Sequence, residues 1–67
     1  MFHLNLKRLR KENKLTQLQL AQKLSQNRYM VENWERNLSE PNIEMIVKLK
    51  YVLNCSYEEL LEEGMEG

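Results

Sequence analysis

Apolar positions recur along the chain at helical spacing. Leu4, Leu6 and Leu9 open a first helical run, with Lys7 and Arg8 on the other face, and the run fades at Asn13 and Lys14. Thr16-Gln17-Leu18-Gln19 then reads as a capping box, in which the Thr16 hydroxyl accepts from the Gln19 amide and the Gln19 side chain reaches back. It predicts a short helix over 17–24 with Leu20, Ala21 and Leu24 inward. Ser25-Gln26-Asn27 breaks the period, and Asn27 is a good N-cap for a third helix over 28–36. There Val31 and Trp34 share one face, while Arg28, Tyr29, Glu32, Asn33 and Arg36 fall away from it. Asn37 can take the left-handed conformation that closes a helix. Glu40-Pro41-Asn42 is a stop-and-restart signal. A fourth helix is expected over 43–53, with Ile43, Ile46, Val47, Leu49, Tyr51 and Leu53 as its apolar surface and Lys48 and Lys50 toward solvent. Asn54 caps it. Ser56-Tyr57-Glu58-Glu59 is a second capping box, opening a fifth helix that carries Leu60 and Leu61 and stops at Gly64.

The pattern predicts an all-α fold of five helices, one domain over 1–67. At 67 residues the chain is near the lower limit for folding without staples. Its one cysteine, Cys55, cannot close an internal disulfide, and no Cys/His cluster has zinc-ligand spacing. No metal or other cofactor is therefore expected. Stability must come from a helical core, from self-association, or from both. A hydrophobic content of 42% is enough for one such core. No apolar run approaches the roughly 18 residues of a membrane span. Met1-Phe2-His3-Leu4-Asn5 lacks the apolar stretch of a signal peptide, so a cytoplasmic protein with no membrane partner is expected.

Net charge is zero, but its distribution is not even. Residues 1–36 carry eight basic and three acidic side chains, net +5, and residues 37–67 carry two basic and seven acidic, net −5. Such asymmetry suits a first half that faces a polyanion. It also fits two solvated surfaces that differ by chance, because charge speaks to partners and not to fold.

Two short helices separated by three residues make a helix-turn-helix over about 16–36. The first braces the second, whose outer face is free to enter the major groove of double-stranded DNA, about 12 Å wide. Arg28 can donate twice to guanine O6 and N7, and Asn33 can pair with adenine N6 and N7. Glu32 can accept from cytosine N4, and Tyr29 can touch a thymine methyl or donate to a phosphate. Gln17, at the start of the bracing helix, is placed for a phosphate. Lys7, Arg10 and Lys14 are expected beside the duplex backbone, and Asn27 and Arg36 complete the expected phosphate contacts.

Residues 6–61 resemble the Cro/repressor (Xre-type, lambda repressor-like) helix-turn-helix family. The resemblance is carried by Leu6-Lys7-Arg8-Leu9-Arg10-Lys11, Leu15-Thr16-Gln17, Leu20-Ala21-Gln22-Lys23-Leu24, Trp34-Glu35-Arg36, Glu40-Pro41 and Leu53-Asn54-Cys55-Ser56. It implies a five-helix domain, sequence-specific operator binding, and dimers on palindromic sites. It also assigns the phosphate contact to Gln17 and base contacts to Arg28, Tyr29, Glu32 and Asn33. The chain departs from the pattern with Ser25 and Asn37 where glycine is usual and Gln26 where a small apolar residue is usual. Met30 and Glu32 stand where the family often holds small residues, which bears on the site that is read.

The remaining features have plainer readings. Trp34 is expected in the core. His3 reads as a terminal surface residue with no catalytic partner, and Cys55 as a small buried apolar residue. Met30 and Met45 read as packing, and Glu58, Glu59, Glu62, Glu63 and Glu66 as a solvated end. Tyr57, Leu61 and Met65 are candidates for a homodimer contact, with exposed Leu18 and Leu38 as further ones; Tyr57, Leu61 and Met65 could equally close the monomer core. A protein-interaction module, antitoxin-like or antirepressor-like, is the alternative function, motivated by Glu32 and Glu35 on the reading helix and Gln26 in the turn. No nucleophile–base pair, phosphate-cradling glycine loop or small-molecule site is evident, so no enzymatic activity is expected.

Overall fold

The computed structural model describes residues 1–63. Met65, one of the expected dimer contacts, and the predicted stop at Gly64 lie outside them. The described residues form five helices and no strands: α1 Phe2–Glu12, α2 Gln17–Lys23, α3 Arg28–Glu35, α4 Ile43–Leu53 and α5 Tyr57–Leu61. This is the expected all-α architecture.

Each helix from α2 onward begins on a side-chain cap. Thr16 and Ser56 form reciprocal capping boxes with Gln19 and Glu59, while Asn27 and Asn42 accept from the amides of Met30 and Met45. Such caps satisfy amides that have no partner within the helix. The helix ends share one device. After α1, α2, α3 and α4 the chain turns through a residue at positive φ: Lys14 (58°), Ser25 (59°), Asn37 (62°) and Asn54 (53°). At each, that residue's amide donates three residues back and the next amide donates five back, as in Ser25 to Gln22 and Gln26 to Ala21. This Schellman closure usually uses glycine. Asn37 and Asn54 are suited to it; Lys14 and Ser25 accept strain there.

The helices enclose a core of Leu6, Leu9, Leu20, Ala21, Leu24, Val31, Trp34, Met45, Leu49, Leu53 and Leu60. α2 packs on α3, and α1 packs on both α3 and α5. The Asn5 side-chain amide donates to the carbonyls of Leu60 and Glu62 (3.0 and 2.7 Å), tying the end of α5 to α1. Asn13 likewise joins the ends of α1 and α4, donating to Leu9 and Leu53.

Three expectations about the core need correction. Leu4 lies outside it, 57% exposed; Leu6, Leu9 and Asn5 supply the inward side of α1. On α4 the buried row is Met45, Leu49 and Leu53, while Ile43, Val47 and Tyr51 face outward. On α5 only Leu60 is buried, and Leu61 is exposed. Eight of the eleven α4 residues are apolar, so periodicity alone could not choose between its two faces. Among the described residues, no helix is long and apolar enough to cross a membrane.

Candidate nucleic-acid interface

The brace and the reading helix are fixed by burial. On α2, Leu20 and Ala21 are fully buried, as is Leu24 at its end. Ser25 then turns the chain sharply, and Asn27 restarts it in a β conformation. On α3, Val31 and Trp34 are 0% and 1% exposed, which locks the rotation of the helix. Arg28, Tyr29 and Met30 consequently stand in solvent, and Glu32 and Asn33 are half-buried at the edge of the same outer face. The Arg28 guanidinium lies 5.5 Å from the centre of the Tyr29 ring, close enough for a weak cation–π contact that orders both side chains.

Beneath this face lies a cluster that joins three helices. Glu35, nearly buried at the end of α3, accepts from Arg10 Nε on α1 at 2.6 Å and from Arg10 Nη2 at 3.0 Å. Arg10 Nη1 donates to the Leu15 carbonyl at 2.8 Å, so its fork is filled. Gln17 Nε2 on α2 donates to the same Glu35 carboxylate at 3.1 Å. Removed from water, such a bidentate pair is directional and holds its helices in one register.

Two sequence expectations change here. Arg10 is not beside the duplex backbone: it is 8% exposed and its donors are committed to Glu35 and Leu15. Glu35 is not on the reading face, so it no longer argues for an acidic, DNA-excluding surface. Arg10 follows Leu6 and Leu9 at helical spacing, and Glu35 follows Val31 by four. That spacing was the available signal that both turn inward.

The other expected phosphate contacts remain accessible. Lys7, Lys14, Asn27 and Arg36 are exposed. Gln17 is half-buried with one amide hydrogen engaged by Glu35, and an amide nitrogen carries two. Asn27 uses its side-chain oxygen as the cap of α3, which leaves its amide nitrogen as a donor. Glu32 lies 3.9 Å from Arg36 one turn on, so part of its charge is offset where a phosphate would otherwise be repelled. Arg8 is paired with Glu12 at 3.2 Å. Among the described residues no group of acidic, histidine and cysteine side chains is placed to hold a metal. Half-buried Cys55 has its thiol pKa pushed above the ordinary value, by burial first and then by the Glu59 carboxylate.

Comparison with known proteins points the same way. A helix-turn-helix family model matches residues 6–60. A chain of the SinR protein/SinI protein complex is 33% identical, with a TM-score of 0.85, over 94% of this chain and 62% of that one. A transcriptional regulator from Listeria innocua is 30% identical, with a TM-score of 0.85, over 100% of this chain and 63% of that one. The present chain thus spans less than two thirds of the length of both. No curated protein sequence matches it.

Proposed function

The chain belongs to the Cro/repressor (Xre-type, lambda repressor-like) helix-turn-helix family, whose members regulate transcription by binding DNA; from that premise we propose that it is a sequence-specific repressor. It reads a palindromic operator as a homodimer in the cytoplasm, with α3 in the major groove of each half-site. The observation that carries this reading is the rotation of α3. Val31 and Trp34 are turned into the core, and Arg28 and Tyr29 are presented outward behind a braced turn. Arg28, Tyr29, Glu32 and Asn33 contact bases, while Gln17, Lys7, Lys14, Asn27 and Arg36 contact phosphates. Repression follows from occupancy, since a duplex held in this way is closed to polymerase. One copy buries little surface on DNA, so two copies on half-sites about 34 Å apart supply the affinity.

Selection of bound duplexes from a random pool tests the proposal. It should return a two-fold symmetric consensus with half-site centres about 10 base pairs apart. Recovery of the unselected pool, with no enriched sequence, would falsify the specific-reader reading. No retardation of any duplex at low salt would instead favour the protein-interaction module. The two glutamates that motivated that alternative weigh less in the folded chain, because Glu35 is buried and Glu32 is beside Arg36.

A further inference from the structure

Helix α4 is apolar on two opposite sides. Met45, Leu49 and Leu53 fill the core. On the far side Ile43, Val47 and Tyr51 follow one another every four residues, 79%, 37% and 73% exposed. A surface helix normally has one apolar stripe, and a second one calls for a second partner. The charges beside the stripe indicate which. Glu44 and Lys48 lie on one flank, one turn apart, and among the described residues they are not joined in an ion pair although their spacing allows it.

We infer that a second copy of this chain docks on this stripe, with the two α4 helices antiparallel about a two-fold axis at Val47. Reversal of one helix sets Ile43 of each copy against Tyr51 of the other and brings the two Val47 side chains together. A two-fold axis perpendicular to both helices also brings like flanks together. Glu44 of each copy then lies level with Lys48 of the other, and two equivalent ion pairs close the edge of the contact. A parallel arrangement opposes unlike flanks, brings Lys48 near Lys50 of the other copy, and leaves Glu44 unmatched. The pattern is therefore self-complementary in one orientation only, as a two-fold contact requires. It replaces the α5 residues Tyr57 and Leu61 as the expected self-contact.

Three apolar side chains per copy fall short of the roughly 800 Å² per partner of a standard stable interface. The association is accordingly weak in free solution and gains strength when one duplex holds both copies. The inference rests on the two-copy reading for its purpose, but its test needs no DNA. Sedimentation equilibrium of the full chain, taken up to about 1 mM, should show a reversible monomer–dimer equilibrium. Val47→Asp should abolish the dimer. Glu44→Lys and Lys48→Glu should each weaken it about tenfold, because both ion pairs are lost and like charges meet. The double variant E44K/K48E should recover it, with circular dichroism checking that every variant is helical. A monomer at all concentrations, a dimer that survives Val47→Asp, or single variants that the double swap fails to rescue would each overturn the inference. Band shifts on a duplex with one half-site separate the two claims. Retardation there by both wild type and Val47→Asp supports docking through α4 alone. No retardation by wild type, with the dimer intact, sinks the DNA reading and leaves the docking surface standing.

Discussion

Glu35 carries more of the geometry than any other polar side chain in the chain. Its carboxylate holds Arg10 from α1 and Gln17 from α2 while it belongs to α3 itself. Removing one partner of a buried pair leaves an uncompensated charge, so Glu35→Ala should cost about 3–5 kcal/mol in urea unfolding. Replacing both partners, Arg10→Met with Glu35→Leu, should recover most of that loss. A single variant that costs under about 1 kcal/mol would show that the pair is not what holds the three helices. On the outer face the expectation differs by residue. Arg28→Ala should cost about 1–3 kcal/mol on the selected site and relax preference at one base pair. Lys14→Ala should weaken all sequences alike and reduce the salt slope by about 1. Loss of equal size for Arg28→Ala on every sequence would make Arg28 a phosphate contact. The roles of Val31 and Trp34 were legible in the sequence because two apolar residues three apart define a face. The burial of Arg10 and Glu35 was not, because a charged residue is assigned to solvent until its partner, here 25 positions away, is known.

At the scale of elements, starts and stops were the most legible feature. Every side-chain cap expected from Thr16, Asn27 and Ser56 formed, because a cap needs only residues three apart. The positive φ at Lys14 was not foreseen, since lysine has no preference for that conformation. Ser25 is the informative position, as it sits in the turn that aims α3. Ser25→Gly should raise stability by about 1 kcal/mol with an unchanged denaturant slope, because glycine relieves the left-handed strain. A fall in stability would mean that the serine side chain contributes more than its backbone costs. Faces were less legible than ends. Met45 entered the core in place of Ile43 and Val47 because α4 is apolar nearly all round, and only the position of its neighbours selects the buried row.

For the whole molecule, zero net charge conceals a basic first half and an acidic second half. The burial of Arg10 against Glu35 removes one charge of each sign from the surface and leaves the imbalance in place. Three charged side chains per copy, Lys7, Lys14 and Arg36, are offered to phosphates, so two copies on a palindrome should give a slope of log affinity against log salt of about −5. A slope of about half that would indicate a single copy bound. The fold was legible because local signals and the helix-turn-helix spacing agree; the surface where copies meet was not, since it depends on which residues the core leaves over. The claim on which the rest depends is that α3 lies in the major groove. Methylation of the selected duplex by dimethyl sulfate tests it directly, because guanine N7 is exposed in the major groove and adenine N3 in the minor groove. The bound chain should protect guanine N7 in each half-site, and Arg28→Ala should lose that protection. Unprotected guanines with protected adenine N3 would place the protein in the other groove and contradict the account.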